Sequence, residues 1–204
     1  MAQRIVLKFG TNVLIKNNRL NKGLIAGIAK DLSEFRRQGN EFIIVTSGAI
    51  GLGIEKLCLD NNSLSLEEQQ ACAAVGQSIL MSEYNDAFSK YNQAIAQLLL
   101  TNENFLNPEQ SKNLNNTLEK LLRMNVIPVI NENDSVSTSE LRTEKGFSDN
   151  DTLAALVAVN SKASLLVLFT DVDSMYDKDP KKFKGSKSTY LLLLGCGICN
   201  CIKG

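Results

Sequence analysis

The chain has 204 residues, enough for one sizeable core, and its 22 acidic residues balance 22 basic ones. That balance excludes a strongly basic nucleic-acid surface or a polybasic membrane anchor. The start runs straight into IVLKFG without a charged-then-apolar leader, and nothing reaches the ~18–20 apolar residues of a membrane span, so a cytoplasmic location is expected.

The elements alternate along the chain. Arg4 to Phe9 is a short apolar strand ending in Gly10-Thr11-Asn12. Asn21 caps a helix with Leu24, Ile25, Ile28, Leu32 and Phe35 on one face, stopped by Arg36, Arg37 and Gly39. Phe42 to Thr46 is a second strand, leading into Ser47-Gly48-Ala49. Ser65 and Glu68 have capping-box spacing and open a long helix toward Phe88. The small residues Ala71 to Gly76 within it invite close approach by another helix or by a subunit. Ala94 to Leu100 is a third strand, ending at Thr101. Asn107-Pro108 caps a helix with Leu114, Leu118, Leu121 and Leu122 on one face. The next strand starts at Val126 and breaks at Asn131 into a polar run ending in Asp134. Leu141 to Phe147 reads as a small hairpin. Ser148-Asp149-Asn150-Asp151 opens an apolar helix, and Ser164 to Phe169 is a further strand ending in Thr170-Asp171. Continuous apolar strands alternating with amphipathic helices predict an α/β fold: a three-layer αβα sandwich around a mostly parallel sheet.

From about Gly185 this pattern fails. STYLLLLGCGICNCIKG at 188–204 has no cap and no amphipathic period, which leaves an irregular apolar tail or a frame-shifted, truncated end. The second is preferred, so residues 1–184 are assigned to one domain and 185–204 to an aberrant tail. Cys58 and Cys72 read as isolated small apolar residues. Cys196, Cys199 and Cys201 form CxxCxC, but with no histidine in the chain a four-ligand zinc site is hard to assemble, and no metal site is expected.

If the sheet is parallel, its strand ends gather Lys8-Phe9-Gly10-Thr11, Ser47-Gly48-Ala49, Thr101, Asn131 to Asp134 and Thr170-Asp171 on one edge, beside helix amino termini. Taken alone, the Asn and Asp clusters are equally readable as turn-forming loops. Together the ends offer backbone donors, hydroxyls and a lysine, a set suited to phosphate. A lone strand lysine more often snorkels to the surface; at a strand's end beside Gly10 and Thr11, Lys8 is read as ligand-facing. The glycines at 48, 51 and 53 are in GxxGxG order rather than GxGxxG, and GxxxxGK[ST] is absent. Without histidine there is no imidazole base. Phosphoryl transfer to a carboxylate suits that restriction, because a carboxylate with pKa ~4 is already ionised at neutral pH.

KFGTNVL at 8–14, VTSGAIGLG at 45–53, AAVGQ at 73–77, VIPVINENDSV at 126–136, SDNDTLAA at 148–155 and LFTDVDSMYDKDP at 168–180 together resemble the glutamate 5-kinases of the amino-acid kinase family. The resemblance implies ATP- and Mg2+-dependent phosphorylation of the L-glutamate side-chain carboxylate, the first step of proline biosynthesis. By that likeness Lys8 and Asp151 would be catalytic, with Ser47, Asp134 and Asn150 holding glutamate. Lys8, Gly10, Thr170 and Asp171 would contact ATP. It also implies a homo-oligomer inhibited by proline, with the helix around Ala73 as a subunit contact. Relatives carry a glycine-rich GxGGMxTK segment with a second phosphate-facing lysine, and many append a PUA module; neither is found, and little turnover is expected. The alternatives are a remnant that binds glutamate or proline without turnover, and an aggregation-prone fragment with exposed sheet edge.

Overall fold

The computed structural model describes residues 2–16, 19–61, 63–137 and 149–170, with 175–176, 185, 187–189, 191–194 and 197–200 further on. The hairpin expected over 141–147 lies outside the described residues.

Strand β1 (Arg4–Phe9) leads through a short helical turn, α1 (Thr11–Leu14), and a small antiparallel pair, β2 (Ile15–Lys16) with β3 (Arg19–Leu20), into α2 (Lys22–Arg37). The Asn21 side chain accepts from the Leu24 amide, as the sequence predicts. Ile25, Ala29 and Leu32 form the buried stripe of α2. Phe35, expected on the apolar face, is 50% exposed, although Leu24 and Ile28 on the same side of the helix pack partly buried against the core.

β4 (Glu41–Val45) is followed by α3 (Ala49–Leu57), a helix that the sequence reading overlooked. Cys58 ends it in the left-handed region, exposed rather than packed as a small apolar residue. α4 (Leu66–Ser89) starts with the expected capping box, both hydrogen bonds being present. β5 (Ile95–Leu100), α5 (Glu103–Leu106), α6 (Pro108–Arg123) and β6 (Ile127–Glu132) follow, then α7 (Asp149–Asn160) and β7 (Leu165–Phe169). Beyond them β8 (Met175–Tyr176) pairs antiparallel with β9 (Ser188–Thr189). Where an irregular tail is expected, the backbone of β10 (Leu191–Leu194) pairs antiparallel with β11 (Gly197–Asn200).

The central sheet has the order β5-β6-β4-β1-β7, and every neighbouring pair is parallel. Alternation along the strands sends successive side chains to opposite faces. Leu7, Phe9, Phe42, Ile44, Ile127 and Val129 pack against α2 and α4, whereas Val6, Ile43, Val45 and Ile130 pack against α6 and α7. Helices on both faces make the expected three-layer sandwich.

Two features decide where a ligand fits. The connection leaving β4 runs through α3 and α4 on one face, and the connection leaving β6 runs through α7 on the other. β4 and β6 are neighbours, so their carboxyl ends diverge and open a crevice, the usual ligand position in open parallel sheets. Secondly, α3 and α4 touch backbone to backbone. A Cβ on Gly53 would lie 1.9 Å from the Cys72 carbonyl oxygen, and one on Gly76 would lie 1.7 Å from that of Ala49. The small residues of α4 therefore find their close partner in α3, within the chain.

At the opposite, amino-terminal edge, Arg4 holds three elements. Its guanidinium bonds Glu41 at 2.8 Å and Glu119 of α6 at 3.2 Å, and it also donates to the Ser161 carbonyl after α7. The Arg4 hydrogen bond holds the Glu119 carboxyl below its ordinary pKa. A depressed folded-state pKa contributes stability above the unfolded value and loses it as pH falls through the folded one. Arg4→Met should therefore cost about 1 kcal/mol at pH 7, the partial exposure of Glu119 limiting it. The difference between the thermal melts of the two proteins should shrink as pH falls through the depressed Glu119 range.

Candidate functional site

Lys8 sits on the same face of β1 as Val6, under the start of α7, and is 3% exposed. An isolated ammonium buried there would cost several kcal/mol. Asp151, in the first turn of α7, supplies the counter-charge, with its Oδ1 2.6 Å from Lys8 Nζ. One residue earlier, Asn150 is 2% exposed and its Nδ2 donates to Ser47 Oγ at 2.8 Å. A single helical turn thus ties the exit of β1 to the exit of β4. The sequence reading placed Lys8, Ser47, Asn150 and Asp151 on one rim, and they do meet there.

Glycine shapes the rim at two points. Gly48 follows Ser47 with φ +98, in the left-handed region that favours glycine, and a Cβ there would stand 3.2 Å from Ile15 Cγ1. Gly10 closes β1 by donating its amide to the Phe169 carbonyl at 3.1 Å. A Cβ on Gly10 would reach within 3.4 Å of Lys8 Nζ, so its absence keeps the backbone clear beside the ammonium. Phe9 and Phe169 stack at 4.6 Å between ring centroids and clamp β1 to β7. Thr170, next after Phe169, is exposed at the same edge. Asp171 lies outside the described residues.

The third contribution comes from β6. The strand expected to break at Asn131 continues through Asn131 and Glu132, with both residues buried and Leu99 and Leu100 of β5 as their register partners. Alternation turns Asn131 toward α4, where its Nδ2 donates to Gln77 Oε1 at 2.9 Å. Asp134, 6% exposed, stands just past the strand. A small open cleft lies between the end of β6 and the helices α3 and α4, with Ala49, Gln77, Glu132 and Asp134 among its walls. It opens at the carboxyl end of β6, on the α3–α4 side of the sheet. Asn131 and Glu132 belong to the polar run expected at this edge; Gln77 is not among the residues expected from the sequence to face a ligand. A usable signal existed, since a polar residue continuing the inward parity of Ile127 and Val129 needs a partner on the facing helix.

Behind the cleft the Tyr84 hydroxyl and Thr46 Oγ1 are 3.1 Å apart, which anchors α4 to the residue before Ser47. Burial pushes the Tyr84 phenol well up, so it stays neutral as a hydrogen-bonding group.

The rim therefore presents a paired ammonium, open backbone and a hydroxyl–amide pair at one end, and carboxylates in a cleft at the other. This set can neutralise a phosphate and hold a zwitterion. The sequence pattern of the amino acid kinase family matches residues 3–189. The chain belongs to that family. Within the amino acid kinases it is similar to glutamate 5-kinase of Enterococcus faecalis, 47% identical over 180 residues, covering 88% of this chain and 66% of that protein. The glutamate 5-kinase of Lactiplantibacillus plantarum is 43% identical, with coverages of 88% and 68%. For that of Caldanaerobacter subterraneus subsp. tengcongensis the values are 44%, 90% and 49%. The chain thus spans between about half and two thirds of the length of these relatives. Giardia carbamate kinase shares the amino acid kinase fold, with a TM-score of 0.57 at 13% identity over 93% of this chain and 79% of its own. Among the described residues no helix is long and apolar enough to cross a membrane.

Proposed function

We propose that this chain provides the amino-acid site and the Lys8 cation of a kinase that transfers the γ-phosphoryl group of ATP to the side-chain carboxylate of L-glutamate. The product is L-glutamyl 5-phosphate, the opening step toward proline. The observation that carries this reading is the single turn of α7 joining Lys8 to Asp151 at 2.6 Å and Asn150 to Ser47 at 2.8 Å.

The acceptor carboxylate is already ionised, so no base is required. One of its oxygens attacks the γ-phosphorus as the bond to the ADP oxygen breaks, and ADP leaves with the electron pair. Catalysis is then positioning plus charge neutralisation. Asp151 holds the Lys8 ammonium at the carboxyl end of β1, where it would face the transferring phosphate beside the open backbone of Gly10. Ser47 and Asn150 would hold the glutamate, and Asp134 would take its ammonium. Thr170 and Asp171 would contact the nucleotide at the β7 end. With no Cβ at Gly10 beside the Lys8 ammonium, a phosphate would approach the backbone there, and magnesium would travel on the nucleotide, supplying further neutralisation. Proline inhibition at the glutamate site and self-association belong to the same proposal.

Calorimetric titration of the chain with L-glutamate tests it. Binding is expected, and Asp134→Asn should weaken it at least about tenfold, because a charged partner of the ammonium becomes a neutral one. Equal affinity in the two proteins would contradict the assignment of Asp134, and absence of binding would contradict the glutamate reading itself.

A further inference from the structure

Gln77 forms the part of the cleft wall contributed by the middle of α4 and is 6% exposed. A chain of hydrogen bonds fixes which way its amide faces. The Glu132 backbone N–H donates to Asn131 Oδ1 at 2.9 Å, so the far end of the Asn131 amide is its nitrogen. Asn131 Nδ2 donates to Gln77 Oε1, which leaves Gln77 Nε2 as the remaining atom. That nitrogen is buried and meets no acceptor among the described residues. An empty buried donor is costly, and in native structures such a group nearly always meets a ligand, an ordered water or another polar partner.

The surroundings indicate which ligand atom it serves. Glu132 and Asp134 line the cleft and suit an ammonium. An amino-acid zwitterion brings a carboxylate as well, which needs N–H donors. Ala49, the first residue of α3, lines the same cleft, and its Gly48 cap supplies no side-chain acceptor to the first amides. Gln77 Nε2 and the start of α3 are thus donors on one cleft.

We propose that Gln77 Nε2 donates to the α-carboxylate of the amino-acid substrate, which makes Gln77 a specificity-determining residue of the cleft. This rests on the glutamate reading and extends it to one atom.

Gln77→Glu isolates that atom. It replaces the idle donor with an oxygen while the other oxygen still accepts from Asn131. A residue that merely holds Asn131 keeps its role in this variant, whereas a ligand donor loses it. Glutamate affinity by calorimetry should fall at least about tenfold. 4-Aminobutyrate keeps the ammonium and the distal carboxylate but lacks the α-carboxylate. It should bind the unmodified chain more weakly than glutamate, and both proteins alike. In the unmodified chain, the Gln77 side-chain NH2 signals in an amide NMR spectrum should move on saturation with glutamate and stay put with 4-aminobutyrate. That measurement decides the matter even if the variant does not fold. Unchanged glutamate affinity in the variant, or unmoved NH2 signals at saturation, overturns the proposal while leaving the glutamate reading intact. An unmodified chain that binds no glutamate overturns both.

Discussion

Gly76→Ala is expected to lower the thermal midpoint by roughly 6–12 °C, equivalent to about 3 kcal/mol for a chain of this size. The added Cβ would sit 1.7 Å from the Ala49 carbonyl oxygen and 2.6 Å from the Gly53 amide nitrogen. Both are backbone atoms, so no side chain can swing aside and the two helices must separate. Gly51→Ala in α3 is the matched control. Nothing lies within 4 Å of its Cβ position, so the helix-propensity gain of about 0.5–1 kcal/mol should dominate and raise the midpoint. The contrast separates steric from propensity effects within one element pair. If α3 moves, Ala49 and the Ser47-Gly48 turn move with it, and glutamate binding should weaken in Gly76→Ala even below its melting temperature.

Lys8→Met carries the other large expected effect, in activity rather than stability. Removing one partner of a fully buried ion pair costs about 3–5 kcal/mol because the other is stranded. Here the Asp151 side chain is 35% exposed, so water reaches the stranded carboxylate and about 1–2 kcal/mol is the better expectation. The chemistry has no such relief. A preorganised donor at the developing charge is worth about 3–4 kcal/mol, or some hundredfold or more in rate. Whatever glutamate-dependent γ-glutamyl hydroxamate the chain forms from ATP, magnesium and hydroxylamine should therefore fall by at least that factor. Thermal melts should show the variant still folded. A variant with undiminished turnover would remove Lys8 from the reaction.

Legibility in the sequence followed the range over which each signal acts. The Asn21 and Ser65 caps, the apolar strands and the leucine stripe of α6 are local patterns, and the structure reproduces them. The meeting of Lys8, Ser47, Asn150 and Asp151 was also readable, because a parallel sheet sends strand ends to one edge. α3 escaped notice because its glycines, Gly51 and Gly53, depress helix propensity; tertiary contact with α4 overrides that, and Gly53 is what the contact demands. Gln77 escaped because its role depends on the parity of Asn131 across a helix–sheet interface 54 residues away. Extending β6 by two residues, to Glu132, reveals that parity. The exposure of Phe35 is a smaller lesson: lying on the apolar side of a helix does not fix how far the facing sheet reaches.

The strand-end rim gives every proposed contact its place, and a structure of the chain crystallised with L-glutamate tests it most directly. The side-chain carboxylate should lie by the Ser47–Asn150 pair, facing the Lys8 ammonium, with the amino group at Asp134. Glutamate found away from the crevice between β4 and β6, or in it with its amino group toward Lys8, would contradict the account.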